Sequence, residues 1–120
     1  MSESATEEPI DLVHLAQYTG GDRDLNCEVF RLFSDHCAHS LRSLRTSLSA
    51  PPDGKGWRDT AHALKGAAMG IGAFALAEHA GAAEATDPGM DPAHAANVLA
   101  ALTGRSEIVL AYIEAYLASE

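Results

Sequence analysis

The sequence predicts an all-α fold: an antiparallel four-helix bundle with a short additional helix at the N-terminus. Alanine, leucine and glutamate are abundant and β-branched residues are scarce. Apolar residues recur at steps of three and four, and no run alternates with the period of two that is typical of strands. The 120 residues, 47% of them hydrophobic, suit one domain with a buried core. Short loops between four long helices predict antiparallel neighbours.

The chain opens with an acidic stretch that lacks an apolar pattern. Residues 1–8 are therefore predicted to be a disordered leader, and residues 9–120 to form the bundle domain. Asp11 starts a short helix over residues 12–18, which the glycine pair beginning at Gly20 ends.

The second helix begins after Asp22, which can cap it, and is predicted to span about seven turns. Residues 51–54, Pro-Pro-Asp-Gly, cannot continue a helix and predict a loop. The spacing of three and four assigns to the apolar face of this helix Leu25, Val29, Leu32, Phe33, His36, Ser40, Leu41, Leu44 and Leu48.

The third helix has the clearest pattern in the chain. It is predicted to end near Gly70 or Gly72. Its buried stripe consists of Trp57, Ala61, Leu64, Ala68 and Ile71.

Two more helices complete the predicted bundle. An alanine-rich helix carries Phe74, Leu76, Ala77, Ala80 and Glu84, and a turn follows at residues 87–89. Asp91 before Pro92 marks the start of a long final helix, in which Gly104 is a candidate bend. The apolar face of that helix contains Val98, Leu99, Leu102, Val109, Tyr112, Ile113 and Tyr116.

His62 is predicted to lie on the solvent-facing side of the third helix. With about 100° of rotation per residue, it is roughly 140° from the centre of the buried stripe. Arg58, Lys65 and Gly66 occupy the positions that neighbour it on a helix surface. A glycine inside a helix costs roughly 1 kcal/mol relative to alanine. Gly66 therefore suggests that another molecule approaches closely at this point.

The charge of the chain limits its partners. A net charge of −9 and a pI of about 4.9 argue against nucleic acid and against an anionic membrane surface. Lys55, Arg58 and Lys65 nevertheless surround His62, which suggests an acidic partner surface. The alternative is a helix face solvated by scattered charges.

The cysteines and the N-terminus indicate the compartment. Cys27 and Cys37 are ten residues apart in one predicted helix, roughly 15 Å of rise, so they cannot form a disulfide with each other. No secretory signal is apparent, and an uncharged run such as residues 66–77 is too short to cross a bilayer. We expect a cytoplasmic protein.

An exposed imidazole is a possible nucleophile toward phosphorus, because the ring is largely neutral at pH 7 and its unprotonated nitrogen can then attack. Lys65 and Arg58 are placed to offset the charge of a phosphoryl group. The chain has no Walker A run, and the lone pair Gly70-x-Gly72 does not follow a strand. A phosphoryl group would be relayed by this chain and not generated by it.

The run His62-x-Leu64-Lys65-Gly66, followed by Gly72, Leu76 and Glu84, resembles the signature of histidine phosphotransfer (HPt) domains of bacterial phosphorelays. The resemblance extends from about Ile10 to the C-terminus. It implies a phosphoprotein of two-component signal transduction that accepts a phosphoryl group at Nε2 of His62 from an aspartyl phosphate.

The resemblance also implies roles for the neighbouring residues. Lys65 would compensate charge, Gly66 would leave room for a loop of the partner, and Glu84 would accept a hydrogen bond from Nδ1–H. The partners would be response regulator receiver domains and a hybrid histidine kinase, with Mg²⁺ bound by the receiver and no cofactor in this chain. Specificity would lie with Lys55, Arg58, Asp59 and Met69.

Two other functions stay open at this stage. His36 and His39 have a spacing that can bind one metal ion, although the Glu-x-x-His pattern of di-iron bundles is absent. A helical docking module could keep the fold without the reaction. Because one bundle can close its own core, we expect a monomer.

Overall fold

The structure, a computed structural model, describes residues 8–49 and 51–119, and all regular structure in them is helical. The predicted leader lies outside this part of the chain except for Glu8. The five helices are α1 (Leu12–Thr19), α2 (Arg23–Leu48), α3 (Gly54–Ile71), α4 (Phe74–Glu84) and α5 (Pro92–Ala118). Helix α3 packs against α2 and α4, and α5 also packs against α2 and α4, so that these four helices form a closed ring. Helix α1 lies against α2 and α3. This arrangement is the predicted four-helix bundle with a short additional helix.

The ends of the helices follow from the capping residues in the sequence. The carboxylates of Asp11, Asp22, Asp53 and Asp91 each accept a hydrogen bond from the first turn of the helix that follows. Such a bond satisfies a backbone N–H that the helix leaves unpaired. The predicted starts of α1, α2 and α5 are thereby confirmed, and α3 begins at Gly54, directly after its cap.

Gly72 ends α3 with φ of 85°, a conformation that favours glycine. The backbone N–H of Asp11 donates to the Gly72 carbonyl at 3.0 Å, and an added Cβ at Gly72 would lie 2.7 Å from the Asp11 carbonyl oxygen. Glycine is therefore required here by both the backbone angle and the close approach of the chain that precedes α1.

The core lies between α2, α3, α4 and α5, and Trp57 of α3 is its largest fully buried side chain. Its Nε1 donates a hydrogen bond of 2.7 Å to the carbonyl oxygen of Ala83 in α4. The predicted stripe of α3 is buried along its whole length: Trp57, Ala61, Leu64, Ala68 and Ile71. Because this stripe faces inward, the opposite side of α3 faces solvent.

We expect Trp57→Phe to lower the free energy of unfolding by about 2 kcal/mol, because it shrinks a buried side chain and removes the bond to Ala83. Urea unfolding followed by circular dichroism would measure the change, since the variant lacks the only tryptophan. Tyr18→Phe, at an exposed position of α1, is the control and should leave the midpoint unchanged. An unchanged midpoint for Trp57→Phe would contradict the packing described here.

The predicted apolar face of α2 is partly wrong. Leu25 and Leu32 are 40% and 68% exposed, whereas Phe30 and Cys37, which the prediction left out, are buried. The stripe that faces the core runs through Phe30, Phe33 and Cys37, and Leu32 lies well to one side of it. Phe74, one of the residues that define α4 in the sequence, is 43% exposed at the start of that helix. Helix α5 continues unbroken through Gly104.

Both cysteines are buried and neither forms a disulfide. Burial raises the pKa of the Cys37 thiol, while a hydrogen bond involving Ser106 opposes that change. A raised pKa disfavours the reactive thiolate, so Cys37 has the character of a core residue. In the described residues no helix is long and apolar enough to span a membrane.

Candidate functional site

His62 stands on the solvent face of α3, with 71% of its side chain exposed. Of the two residues next to it, Ala61 is buried in the core and Ala63 is exposed, so His62 lies where the helix surface turns away from the core. The ring is held at one edge only, where Nδ1 lies 2.8 Å from Oε2 of Glu84. No other hydrogen bond to His62 is found among the described residues. The second ring nitrogen, Nε2, is therefore available to solvent or to a partner.

Glu84 reaches His62 because it is the last residue of α4, which packs along α3. Its side chain is only 26% exposed, so the carboxylate is partly held by its surroundings. A carboxylate is an acceptor only, so the hydrogen between it and Nδ1 must be carried by the imidazole. This bond favours the tautomer with hydrogen on Nδ1 and a lone pair on Nε2.

Lys65, one turn after His62, completes a group of three. Its Nζ lies 3.6 Å from Oε1 of Glu84, whereas Oε2 is the oxygen hydrogen-bonded to His62. The stem of Lys65 passes close to Gly81 of α4, where an added Cβ would lie 3.6 Å from Lys65 Cδ. Glu84 thus joins a histidine and a lysine on the same face of α3.

Gly66 lies on the exposed surface beside His62, and an added Cβ there would meet no atom within 4 Å. The same is true of Gly70, one turn further along α3. Unlike Gly72, neither residue adopts a positive φ. Nothing in the fold therefore requires a glycine at position 66, and its absent side chain leaves space only outside the protein.

The cations predicted around His62 have different surroundings. Lys55 Nζ lies 2.6 Å from Oδ2 of Asp59, and this contact raises the pKa of Lys55 and lowers the pKa of Asp59. Arg58 is exposed and has no carboxylate within 4.0 Å in the described part of the chain. The charge of Lys55 is compensated locally, whereas that of Arg58 is open to a partner.

Met69 is 47% exposed and lines a groove of about 350 Å³ between α3 and α4. Phe74, Ala77 and Gly81 form the α4 side of this groove, and Lys65 lies at the end nearer His62. The sequence prediction missed Phe74 and Gly81 as surface residues near the site. A glycine inside a short alanine-rich helix was the available signal for Gly81.

His36 and His39, the pair considered for metal binding, have different surroundings from each other. His39 is exposed, and His36 is partly buried with its Nε2 3.5 Å from Oγ of Ser40. Among the described residues no group of three or more His, Cys, Asp or Glu side chains is placed to hold a metal ion.

Fold and site together define a class of protein. A four-helix bundle presents the exposed imidazole of His62, one ring nitrogen of which is fixed by a carboxylate while the other is free. A lysine and an uncovered glycine lie next to it. These are the features of a helical protein that accepts a phosphoryl group on histidine.

Comparisons with known proteins agree with this class. The family model described as "Hpt domain" matches residues 28–115, and the chain therefore belongs to the Hpt domain family. Proteins of this family act in histidine phosphotransfer in phosphorelays, as phosphocarriers that interact with receiver domains and histidine kinases. A search of curated proteins finds no match.

The fold is also that of a solved structure, the histidine-containing phosphotransfer protein B (HptB) from Pseudomonas aeruginosa PAO1. The TM-score is 0.79 with 24% sequence identity, over 89% of this chain and 92% of that one. This likeness supports the predicted bundle across nearly the full length of the chain.

Proposed function

We propose that His62 is the residue that carries the phosphoryl group, through its Nε2 atom. The observation that supports this most directly is the 2.8 Å contact between His62 Nδ1 and Glu84 Oε2 on an otherwise exposed ring. This contact favours the tautomer with a lone pair on Nε2, and attack on phosphorus requires that lone pair as the nucleophile.

The reaction follows from this arrangement. The lone pair of Nε2 attacks the phosphorus of an aspartyl phosphate, a bond from nitrogen to phosphorus forms, and the bond from phosphorus to the aspartate oxygen breaks. The aspartate leaves as a carboxylate, so no proton has to be transferred. The imidazole becomes more positive as the bond forms, and the Glu84 carboxylate stabilises the hydrogen that remains on Nδ1.

The surrounding cations would stabilise the phosphoryl group electrostatically. Lys65 and Arg58 lie one turn after and one turn before His62, and both are cationic at neutral pH. Neither has to donate or accept a proton for this purpose. Lys65 is shared with Glu84, so part of its charge offsets that carboxylate, and Arg58 is the less compensated of the two.

The chain would act as a carrier between aspartates of receiver domains and would not phosphorylate itself from ATP. Its exchange partners would be response regulator receivers and the receiver of a hybrid histidine kinase. In this proposal Mg²⁺ is supplied by the receiver, the chain acts as a monomer, and its compartment is the cytoplasm. The residues that contact the receiver would include Lys55, Arg58, Asp59 and Met69, with Gly66 under the approaching loop.

A survey of purified receiver domains tests this function. Each receiver, charged with radiolabelled acetyl phosphate, would be mixed with the full chain and sampled within seconds. We expect at least one receiver to transfer label rapidly, and mass spectrometry of the product to place it on His62. If no receiver transfers label, or if the label lies on another residue, the proposed function or its site is wrong.

We expect Glu84→Ala to slow transfer about tenfold, because a hydrogen bond to a charged group at a partly exposed position is worth about 1.5 kcal/mol. Glu84→Gln keeps an acceptor oxygen and should lose less. Rapid-quench kinetics with one receiver would measure both rates. Glu114→Ala, which removes an exposed carboxylate from α5, is the control. Equal rates for Glu114→Ala and Glu84→Ala would show that the contact with His62 has no role in transfer.

A further inference from the structure

Helix α4 has few features of its own that would fix the position of its last turn. Five of its eleven residues are alanine, and no side chain in the described part of the chain caps its start with a hydrogen bond. Beyond Leu76 its buried residues are Ala77, Ala80 and Ala83. Because alanine is too short to interlock deeply with a facing helix, packing alone resists rotation of this end only weakly.

Trp57 of α3 provides a directional contact at this end. Its Nε1 donates to the Ala83 carbonyl oxygen over 2.7 Å, and both residues are fully buried. A hydrogen bond weakens steeply when its angle departs from the optimum, so this contact constrains the rotation of α4 about its own axis. The residue after Ala83 is Glu84. The indole therefore holds α4 one residue before the carboxylate that contacts His62.

The two contacts close a frame between α3 and α4. Trp57 and His62 are five residues apart on α3, roughly 7.5 Å along its axis. Side-chain atoms lie about 5–6 Å from a helix axis, so a rotation of α4 by about 10° would move the Glu84 carboxylate by about 1 Å. A shift of this size away from His62 would stretch their 2.8 Å contact beyond the ordinary length of a hydrogen bond.

We propose that Trp57 is a positioning residue for phosphoryl transfer, because its hydrogen bond to Ala83 sets the rotation of α4 that places Glu84 against Nδ1 of His62. This inference rests on the proposed function of His62. Trp57 is fully buried and acts through Glu84. Removing its N–H should lower the share of His62 rings that carry hydrogen on Nδ1, and thereby slow attack by Nε2.

Two replacements remove the hydrogen bond with different effects on packing. Trp57→Phe removes the N–H and also shrinks the side chain. The benzothienyl analogue of tryptophan has sulfur in place of Nε1–H and nearly the same ring shape, and the chain has a single tryptophan at which it would be incorporated. The Ala83 carbonyl still accepts a hydrogen bond from the Thr86 backbone N–H at 3.0 Å, so the analogue protein should fold.

A double-mutant cycle tests whether Trp57 acts through Glu84. With the receiver that exchanges fastest with the full chain, we expect each Trp57 replacement to slow transfer to His62 about fivefold. In a Glu84→Ala background the same replacements should change the rate less than twofold, because no carboxylate is left to position. Ile113→Val shrinks a buried side chain beside the groove between α2 and α5; it controls for lost stability and should transfer at the wild-type rate.

Nitrogen-15 NMR of the His62 ring gives a readout that lost stability alone would not move. At about pH 9, where an unperturbed imidazole is neutral, the wild type should carry hydrogen mainly on Nδ1. Both Trp57 replacements should shift the ring toward the tautomer with hydrogen on Nε2, and Ile113→Val should keep the wild-type spectrum. Comparison with His62→Gln identifies the signals of this ring.

The outcomes separate this inference from the proposed function. The positioning role would be overturned by wild-type transfer in the analogue protein, by equal slowing with and without Glu84, or by an unchanged His62 tautomer. Phosphoramidate, a small phosphoryl donor that needs no docking surface, should show the same slowing, because the change lies in the nucleophile. A wild type that neither phosphoramidate nor any receiver labels would overturn the proposed function itself.

Discussion

Replacing His62 with glutamine is expected to abolish phosphoryl transfer from every receiver, down to background. Glutamine has no ring nitrogen that can attack phosphorus. The fold should remain intact, because the His62 side chain is 71% exposed and glutamine is a better helix former than histidine. A gel of the labelled protein, treated in parallel with acid and with alkali, would measure the acid-labile and base-stable label that phosphohistidine gives.

A second histidine provides the control for this experiment. His94 is exposed in the first turn of α5, and only its backbone takes part in the helix cap. His94→Gln should therefore transfer at the wild-type rate. If His62→Gln still accepted label from a receiver, the phosphoryl group would be carried elsewhere and the site described here would be wrong.

Leucine in place of Gly66 is expected to slow transfer from a receiver about a hundredfold while leaving the fold as stable as before or more so. An added Cβ meets no atom of this protein within 4 Å, and the gain in helix propensity is about 1 kcal/mol. In a docked complex the same side chain would overfill the contact, at a cost of about 1–3 kcal/mol. Rapid-quench transfer rates and urea unfolding would measure the two effects.

Gly104 offers a matched control. It also lies inside a helix, α5, with no atom within 4 Å of an added Cβ. Gly104→Leu should give a similar change in stability and no change in transfer, and phosphoramidate should label both leucine variants. Wild-type transfer by Gly66→Leu would show that no partner approaches this face closely.

Core residues were predicted correctly in the helix whose apolar and polar residues lie on separate faces, and less well in the helix where they do not. In α3 the apolar stripe is separated from polar residues, so Trp57 and Leu64 were correctly placed in the core. In α2 apolar residues occur on more than one face, and the choice of Leu25 and Leu32 over Phe30 and Cys37 was wrong. Periodicity cannot decide between two candidate faces, because only packing against α3 and α5 shows which one is covered.

Helix α4 shows the same limit near the site. Alanine occupies five of its eleven positions, so its pattern hardly indicates which way the helix is turned. Phe74, one of the residues that define this helix in the sequence, lies half exposed at the edge of the groove beside Lys65. The resemblance to HPt domains suggested Glu84 as a partner of His62, but the distance between them depends on that rotation.

The sequence by itself determined the helices and the exposure of His62. Aspartate caps, glycine ends and a period of 3.6 are local properties, which a chain carries whatever its neighbours are. Only the tertiary structure decided that Glu84 lies 2.8 Å from Nδ1 of His62. Glu84 is 22 positions from His62 in the sequence, and the two side chains meet because α4 packs against α3.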